Sequence, residues 1–324
     1  MARDSVRVEP EESGQTLAAL LRLHLPVAGA ELRRLAEQGW IEVDGQACRD
    51  LGRRVHAGQR VSWPRVGRRR AEVSCVRPLL DASAIRYLDD AIVVVAKPPG
   101  LTTMRHPHEA AEFGARARRF LPRTLAELLP PLIARRRPGP GPRLRAVHRL
   151  DKDTSGLVVF ARTPAAERHL GQQFRAHTIE RRYWAIVRGQ ACDARLESWL
   201  VRDRGDGRRG SAPQPGHGQR AITHVKVLER LGNFTLVECR LETGRTHQVR
   251  IHLGEAGTPI CGERIYDRPV HGAPLADPSH FPRVALHAVR LGLVHPVTGK
   301  FLVWEAPLPD DMKQLLDSLR RRSS

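Results

Sequence analysis

The stretch His148-Arg149-Leu150-Asp151-Lys152-Asp153-Thr154-Ser155-Gly156-Leu157-Val158-Val159-Phe160 decides how this chain reads. Its last four residues are an unbroken apolar run of strand length, and Thr154-Ser155-Gly156 before them is turn chemistry. At the front a carboxylate, Asp151, stands among His148, Arg149 and Lys152. Nearby cations favour the ionised form of a carboxylate, so the pattern suits a nucleophile or base working beside a polyanion. An isolated Asp in such a place is more often a turn cap, and the rest of the chain has to decide between the two.

Outward from this run, Ile92-Val93-Val94-Val95 reads as a buried strand that breaks at Lys97-Pro98-Pro99-Gly100. A helical segment is expected near Thr124 to Leu132, followed by a basic Pro/Gly-rich loop over 135–143. Beyond the central run come a helix near Ala165 to Ala176, a strand Arg182 to Val187, and a flexible stretch from Asp203 to Gly218 within a lengthened loop at 203–220. Strands follow at Ala221 to Leu228 and Phe234 to Leu241. Thr246 is a fair cap and Gly257 with Pro259 a fair stop, so His247 to Glu255 is expected to be helical. Val284 to Ala288, Leu291 to His295 and Phe301 to Trp304 read as further strands, and a helix from about Asp310 to Leu319 closes the chain. Strands and helices alternate without a regular βαβ beat. The fold class is therefore α+β, with a mixed, mostly antiparallel central sheet flanked by helices and loops.

The N-terminal part differs. Thr16 can cap a first helix carrying Leu17, Leu20, Leu21 and Leu25, and Pro26 ends it. A second helix, Ala28 to Gln38, carries Arg33 and Arg34, and Asp44-Gly45 turns a hairpin after Trp40 to Val43. The expected organisation is a small module over 13–64, a linker over 65–84 that includes Arg68-Arg69-Arg70, and a larger domain over 85–319.

The 324 residues are 41% hydrophobic, enough for a large and a small core, and carry a formal net charge of +19. Of the 54 basic residues only five are lysines. Such an excess of positive charge is the footprint of a nucleic-acid binder, although an arginine skew also follows from a GC-rich genome. Five scattered cysteines without a CxxC pair argue against a zinc ribbon or a disulfide framework. The polar N-terminus and the lack of long apolar runs lead to the expectation of a cytoplasmic, soluble protein, most simply a monomer.

The run His148 to Gly156 resembles the signature of the RluA family of pseudouridine synthases, and four other blocks follow that family in order. These are Ile92 to Leu101, Arg182 to Gly189, Leu241 to Leu253, and Gly257 to Gly262 continuing into Leu286-His287-Ala288 and His295-Pro296. The helix-and-hairpin pattern at 13–64 likewise resembles an S4-type RNA-binding module, in which a basic helix such as that bearing Arg33 and Arg34 grips RNA. The resemblance implies an isomerase without cofactor or metal that converts uridine to pseudouridine in RNA. Members with an S4-type module mostly modify large-subunit ribosomal RNA, and transfer RNA is the runner-up substrate.

By the same resemblance Asp151 is the catalytic carboxylate, Tyr183 the active-site tyrosine and Arg250 the basic partner of Asp151. His148, Arg149, Lys97, Thr154, Arg245, Thr246, His247 and Gln248 are the candidates for substrate contact, Arg149 being placed to fill the space left by a flipped base. Two departures from the family pattern, Ala96 for the usual asparagine and Glu263 for the usual aspartate, are expected to be peripheral to the chemistry. Two other readings compete with this one. The first is a non-catalytic ribosomal-RNA-binding factor. The second is a metal hydrolase using His148, His247, His252 and His287, although no HExxH or comparable spacing supports it.

Overall fold

Continuous apolar runs belong to strands buried on both faces, and the computed structural model, which describes residues 3–25, 32, 35–64, 80–105, 122–137 and 143–323, places them so. The strand β8 (Ser155–Ala161) is buried along its whole length. Its Val158 and Phe160 enter one core with Val93 and Val95, while Leu157, Val159 and Ala161 enter a second core with Ile92 and Val94. Side chains alternate across a strand, so the two cores lie on opposite faces of one sheet.

The chain divides into two units, Met1–Arg77 and Pro78–Ser324. In the first, strands β1 (Arg3–Arg7), β2 (Glu42–Val43), β3 (Gln46–Ala47) and β4 (Arg60–Pro64) make a sheet of order β1-β4-β2-β3. Helix α1 (Leu17–His24) is capped by the Thr16 hydroxyl, which accepts the Ala19 N–H. Leu17, Leu20, Leu21, Ile41, Val61 and Trp63 pack into its own core. The unit starts earlier than the expected residue 13, because β1 pairs along β4 from Arg3↔Pro64 to Arg7↔Arg60. Asp44 and Gly45 both have positive φ, as the hairpin turn requires. Arg33, Arg34 and most of the expected second helix and linker lie outside the described residues.

The second unit is built on an 11-stranded sheet. Its strands are β5 (Ile85–Leu88), β6 (Ile92–Lys97), β7 (Arg145–Ala146), β8, β9 (Glu180–Arg188), β10 (Ala194–Val201), β11 (Gly210–Ser211), β12 (Gln219–Leu231), β13 (Phe234–Leu241), β14 (Leu286–Val294) and β15 (Phe301–Glu305). The order is β11-β10-β12-β13-β9-β14-β8-β6-β5, with β15 on β14 and β7 on β8. Every pairing is antiparallel except β14 with β8. Helices α2 (Leu125–Arg136) and α5 (Asp310–Ser323) cover one face through Leu125, Leu129, Ile133, Met312 and Leu316, and α3 (Pro164–Arg175) covers the other through Ala166 and Leu170.

Two sequence expectations are corrected, and one strand escaped the reading. Val284 to Ala288 and Leu291 to His295 are not two strands; β14 is one strand with a register shift between Ala288 and Arg290 that breaks the alternation. Strand β10 has mostly half-exposed residues and so carried no apolar signal. The stretch 203–218 is not loose: Arg204 is buried, Asp206 accepts its guanidinium, and the Asp206 carboxyl is pulled down to about 2 mainly by that bond.

Candidate active site

The backbone around Asp151 is clamped on both sides by buried side chains. The Thr103 hydroxyl donates to the Leu150 carbonyl at 2.8 Å and accepts the Leu150 N–H at 3.1 Å. Lys97 donates from Nζ to the carbonyls of Pro98, Leu101 and Lys152 at 2.9, 2.8 and 3.0 Å. Arg283 donates to the Asp153 carbonyl, and the Thr154 N–H closes the turn on the Asp151 carbonyl. With its neighbours' main chain so engaged, the Asp151 side chain is fixed at the mouth of β8, 22% exposed, and faces a cavity of about 470 Å³.

The sheet order explains why distant residues meet there. Gly156 of β8 lies beside Ala288 of β14, and Ala288 lies opposite Tyr183 of β9. The approach at Gly156 is too close for a side chain: a Cβ would fall 2.3 Å from the Ala288 carbonyl oxygen, and φ is +113°. Tyr183 is 9% exposed and lines the cavity, with its hydroxyl pKa raised by burial.

Helix α4 (Gln248–Glu255) follows β13 and supplies Arg250. Its cap is not Thr246 but His247, held in the left-handed region at φ +60° without a capping bond. That conformation sets the His247 ring 3.7 Å from Asp151 Oδ1 through Nε2, and its Nδ1 lies 2.6 Å from the Tyr266 hydroxyl. Burial lowers the imidazole pKa and Asp151 opposes that shift.

Arg250 reaches Asp151 Oδ2 with Nη1 at 3.4 Å, but its closer partner is Glu263. Nε and Nη2 donate to the two Glu263 oxygens at 2.6 and 2.9 Å. Glu263 Oε1 also accepts the N–H groups of Arg264 and Ile265. Burial raises the Glu263 pKa, yet the Arg250 bonds outweigh it and the net shift is downward. Burial likewise opposes the charge on Arg250, and the Glu263 bonds reverse the effect. Glu263 is thus not peripheral: its buried carboxylate aims the guanidinium that faces Asp151. The Tyr266 ring lies beneath that guanidinium at 5.3 Å.

Two expected substrate contacts are corrected. Lys97 is 1% exposed with all three donors on carbonyls, so it holds the Asp151 turn instead of reaching a ligand. Gln248 is 2% exposed; its amide donates to the Ile222 carbonyl and Thr223 hydroxyl and accepts from Thr243 and Arg245. That uses the full capacity of the group. His148, Arg149, Thr154, Arg245, Thr246 and His247 do line the cavity. Arg149 and Thr246 are exposed and Thr154 is buried, while Arg245 donates from Nε to the Arg220 carbonyl. His148 accepts the Val159 N–H at Nε2 and stacks on Phe174, and burial lowers its pKa to about 3.

The four histidines of the hydrolase reading do not converge. His252 bonds Thr223 and Ser198, His287 bonds Ser155, and the other two are placed as described. Among the described residues no three His, Cys, Asp or Glu side chains are placed to hold a metal ion. No described helix is long and apolar enough to cross a membrane.

This arrangement, a fixed carboxylate beside a guanidinium and a buried tyrosine, coincides with a sequence profile for RNA pseudouridylate synthase that matches residues 91–255. The chain belongs to the pseudouridine synthase family. It is 40% identical over 241 residues to the ribosomal large subunit pseudouridine synthase D of Nitrosomonas europaea, covering 73% of this chain and 65% of that protein. The Haemophilus influenzae protein of the same name is 33% identical over 98% of this chain and 94% of its own length. An uncharacterized RNA pseudouridine synthase of Bacillus subtilis, YhcT, is 34% identical over 96% and 95%. The human RNA pseudouridylate synthase domain containing 4 shares the fold, with a TM-score of 0.59 over 74% of this chain and 93% of that one at 24% identity.

Tyr266, Thr103 and Arg283 escape a reading of the sequence because nothing local marks them. Arg181 escapes it too, although its place two residues before Tyr183 on β9 puts both on one face of the strand.

Proposed function

We propose that this chain isomerises uridine to pseudouridine in RNA, with large-subunit ribosomal RNA as its substrate. The observation that carries the reading is the position of Asp151, 3.4 Å from the Arg250 guanidinium and facing a cavity that Tyr183 also lines. The names of the relatives favour the ribosomal substrate.

The reaction breaks the N1–C1′ bond, turns the uracil, and joins C5 to C1′, with the C5 proton lost and one gained at N1. Nothing is oxidised or hydrolysed, so the site has to bind, hold and move protons. The uridine leaves its stack to enter the cavity, and Arg149, exposed at the rim, fills the gap it leaves. Asp151 acts on the sugar or the base as nucleophile, or removes a sugar proton as base. Arg250 keeps it charged and aimed, and Tyr183 stacks on the uracil. The small unit, read as an S4-like RNA-binding module, adds backbone contacts, and the enzyme works as a monomer without a metal.

Carbodiimide mapping of pseudouridine in ribosomal and transfer RNA, from cells with and without the gene, tests this. A large-subunit position should lose its pseudouridine and regain it with the wild-type gene but not with Asp151→Asn. Loss confined to transfer RNA, or at no position, would overturn the assignment.

A further inference from the structure

Arg181 is a cation buried in the wall of the cavity with no carboxylate to answer it. The residue is 7% exposed, and no carboxylate lies within ion-pair distance among the described residues. Its hydrogen bond there is long, 3.4 Å from Nη2 to the Glu242 carbonyl, and its Nε is buried without a partner. The guanidinium packs on Phe174 at 5.6 Å. Gly244 makes room for it, since a Cβ at that position would fall 2.4 Å from Nη1. Arg175, His177 and Arg245 line the same cavity. Burying a guanidinium unpaired costs stability, and burial depresses the pKa of Arg181, which only Tyr183 counters. A fold keeps such a group where a ligand supplies the missing charge.

We infer that Arg181, with Arg245 and Arg175 beside it, forms a phosphate subsite that binds a phosphodiester oxyanion of the nucleotide whose base occupies the cavity. This deepens the proposed function and rests on it for the identity of the ligand. Arg181 and Tyr183 sit two residues apart on one face of β9. One strand thus offers a ring for the base and a guanidinium for the phosphate attached to it. Planar donors match phosphate bidentately, and the pair that can do so here is Nη1, which has no acceptor among the described residues, with Nη2, held only by the 3.4 Å bond to the Glu242 carbonyl.

Equilibrium titration of the full chain with uridine 3′,5′-bisphosphate and with uridine, followed by calorimetry, tests the subsite without requiring turnover. Wild type should bind the bisphosphate about tenfold or more tightly than uridine, as charge-assisted bonds imply. Arg181→Met should lose most of that preference while binding uridine as before, and Arg181→Lys should keep part of it. Thermal unfolding without ligand separates this from a structural role: Arg181→Met should be as stable as wild type or more so, because it removes an uncompensated charge. The inference is overturned if neither compound binds at millimolar concentration, if wild type shows no preference for the bisphosphate, if Arg181→Met keeps the preference, or if that variant is markedly destabilised. A chain that binds in this Arg181-dependent way but makes no pseudouridine would refute the proposed reaction and leave the subsite standing. Pseudouridine formation with a preference indifferent to residue 181 would do the reverse.

Discussion

Arg250 gives two short hydrogen bonds to Glu263, at 2.6 and 2.9 Å, and is left with a single nitrogen for Asp151 at 3.4 Å. The buried pair is therefore the fixed part and the contact with Asp151 the adjustable one. A guanidinium anchored from behind cannot swing to solvent, so the Asp151 carboxylate keeps the same partner.

Removing Glu263 should be costlier than removing Asp151. The Glu263 side chain is 0% exposed, and Glu263→Ala leaves the buried Arg250 charge with only its long contact to Asp151, at a cost of about 3–5 kcal/mol. Glu263→Asp should retain most of the stability. Urea unfolding of both variants checks this, and equal stability of Glu263→Ala and wild type would remove Glu263 from its anchoring role.

Asp151→Asn keeps the volume and the turn, because the main-chain clamps from Lys97 and Thr103 do not involve the side chain. Turnover should fall by roughly a thousandfold or more, with RNA affinity little changed. Single-turnover assay against filter binding measures both; appreciable conversion by the variant would exclude Asp151 as the reacting group.

Lys97 ties stability to pH. Burial pushes its pKa down to about 7 from 10.5, with Asp153 and Asp151 opposing. Between those values the unfolded chain holds a proton that the folded chain has released, so stability rises as pH increases, by up to about 1.4 kcal/mol per unit. Below pH 7 both states are protonated and this contribution levels off. In Lys97→Met the rise between pH 7 and about 9.5, still short of the unfolded-state value, should disappear from chemical denaturation curves; an unchanged slope would assign it elsewhere.

Deleting residues 1–77 removes a unit with its own core and leaves every residue that lines the cavity. RNA binding should weaken, and the slope of log affinity against log salt should flatten by roughly 0.7–0.9 for each phosphate no longer neutralised. A slope identical to that of the full chain would deny the unit any part in holding RNA.

Much of this was legible in the sequence. The apolar runs of β6 and β8 announce themselves because both faces are buried, and Asp151 is marked by its cationic neighbours. The same local view misjudges Lys97 and Gln248: polar residues inside signature blocks look like ligand contacts until their donors are found on acceptors within the fold. Glu263 and Arg181 depend on which strands end up adjacent, and no window of sequence contains that. Half-exposed β10 and the shifted β14 escape because periodicity reports burial and not pairing.

Strand β14 lies between the strand that Asp151 precedes and the one that bears Tyr183, yet it comes from residues 286–294, far downstream of both. A nascent polypeptide synthesised only through α4 already possesses Asp151, Tyr183 and Arg250 and still lacks the wedge that brings them together. The site is therefore assembled late in translation, and fragments truncated before that strand should form no pseudouridine even where the N-terminal unit still holds RNA.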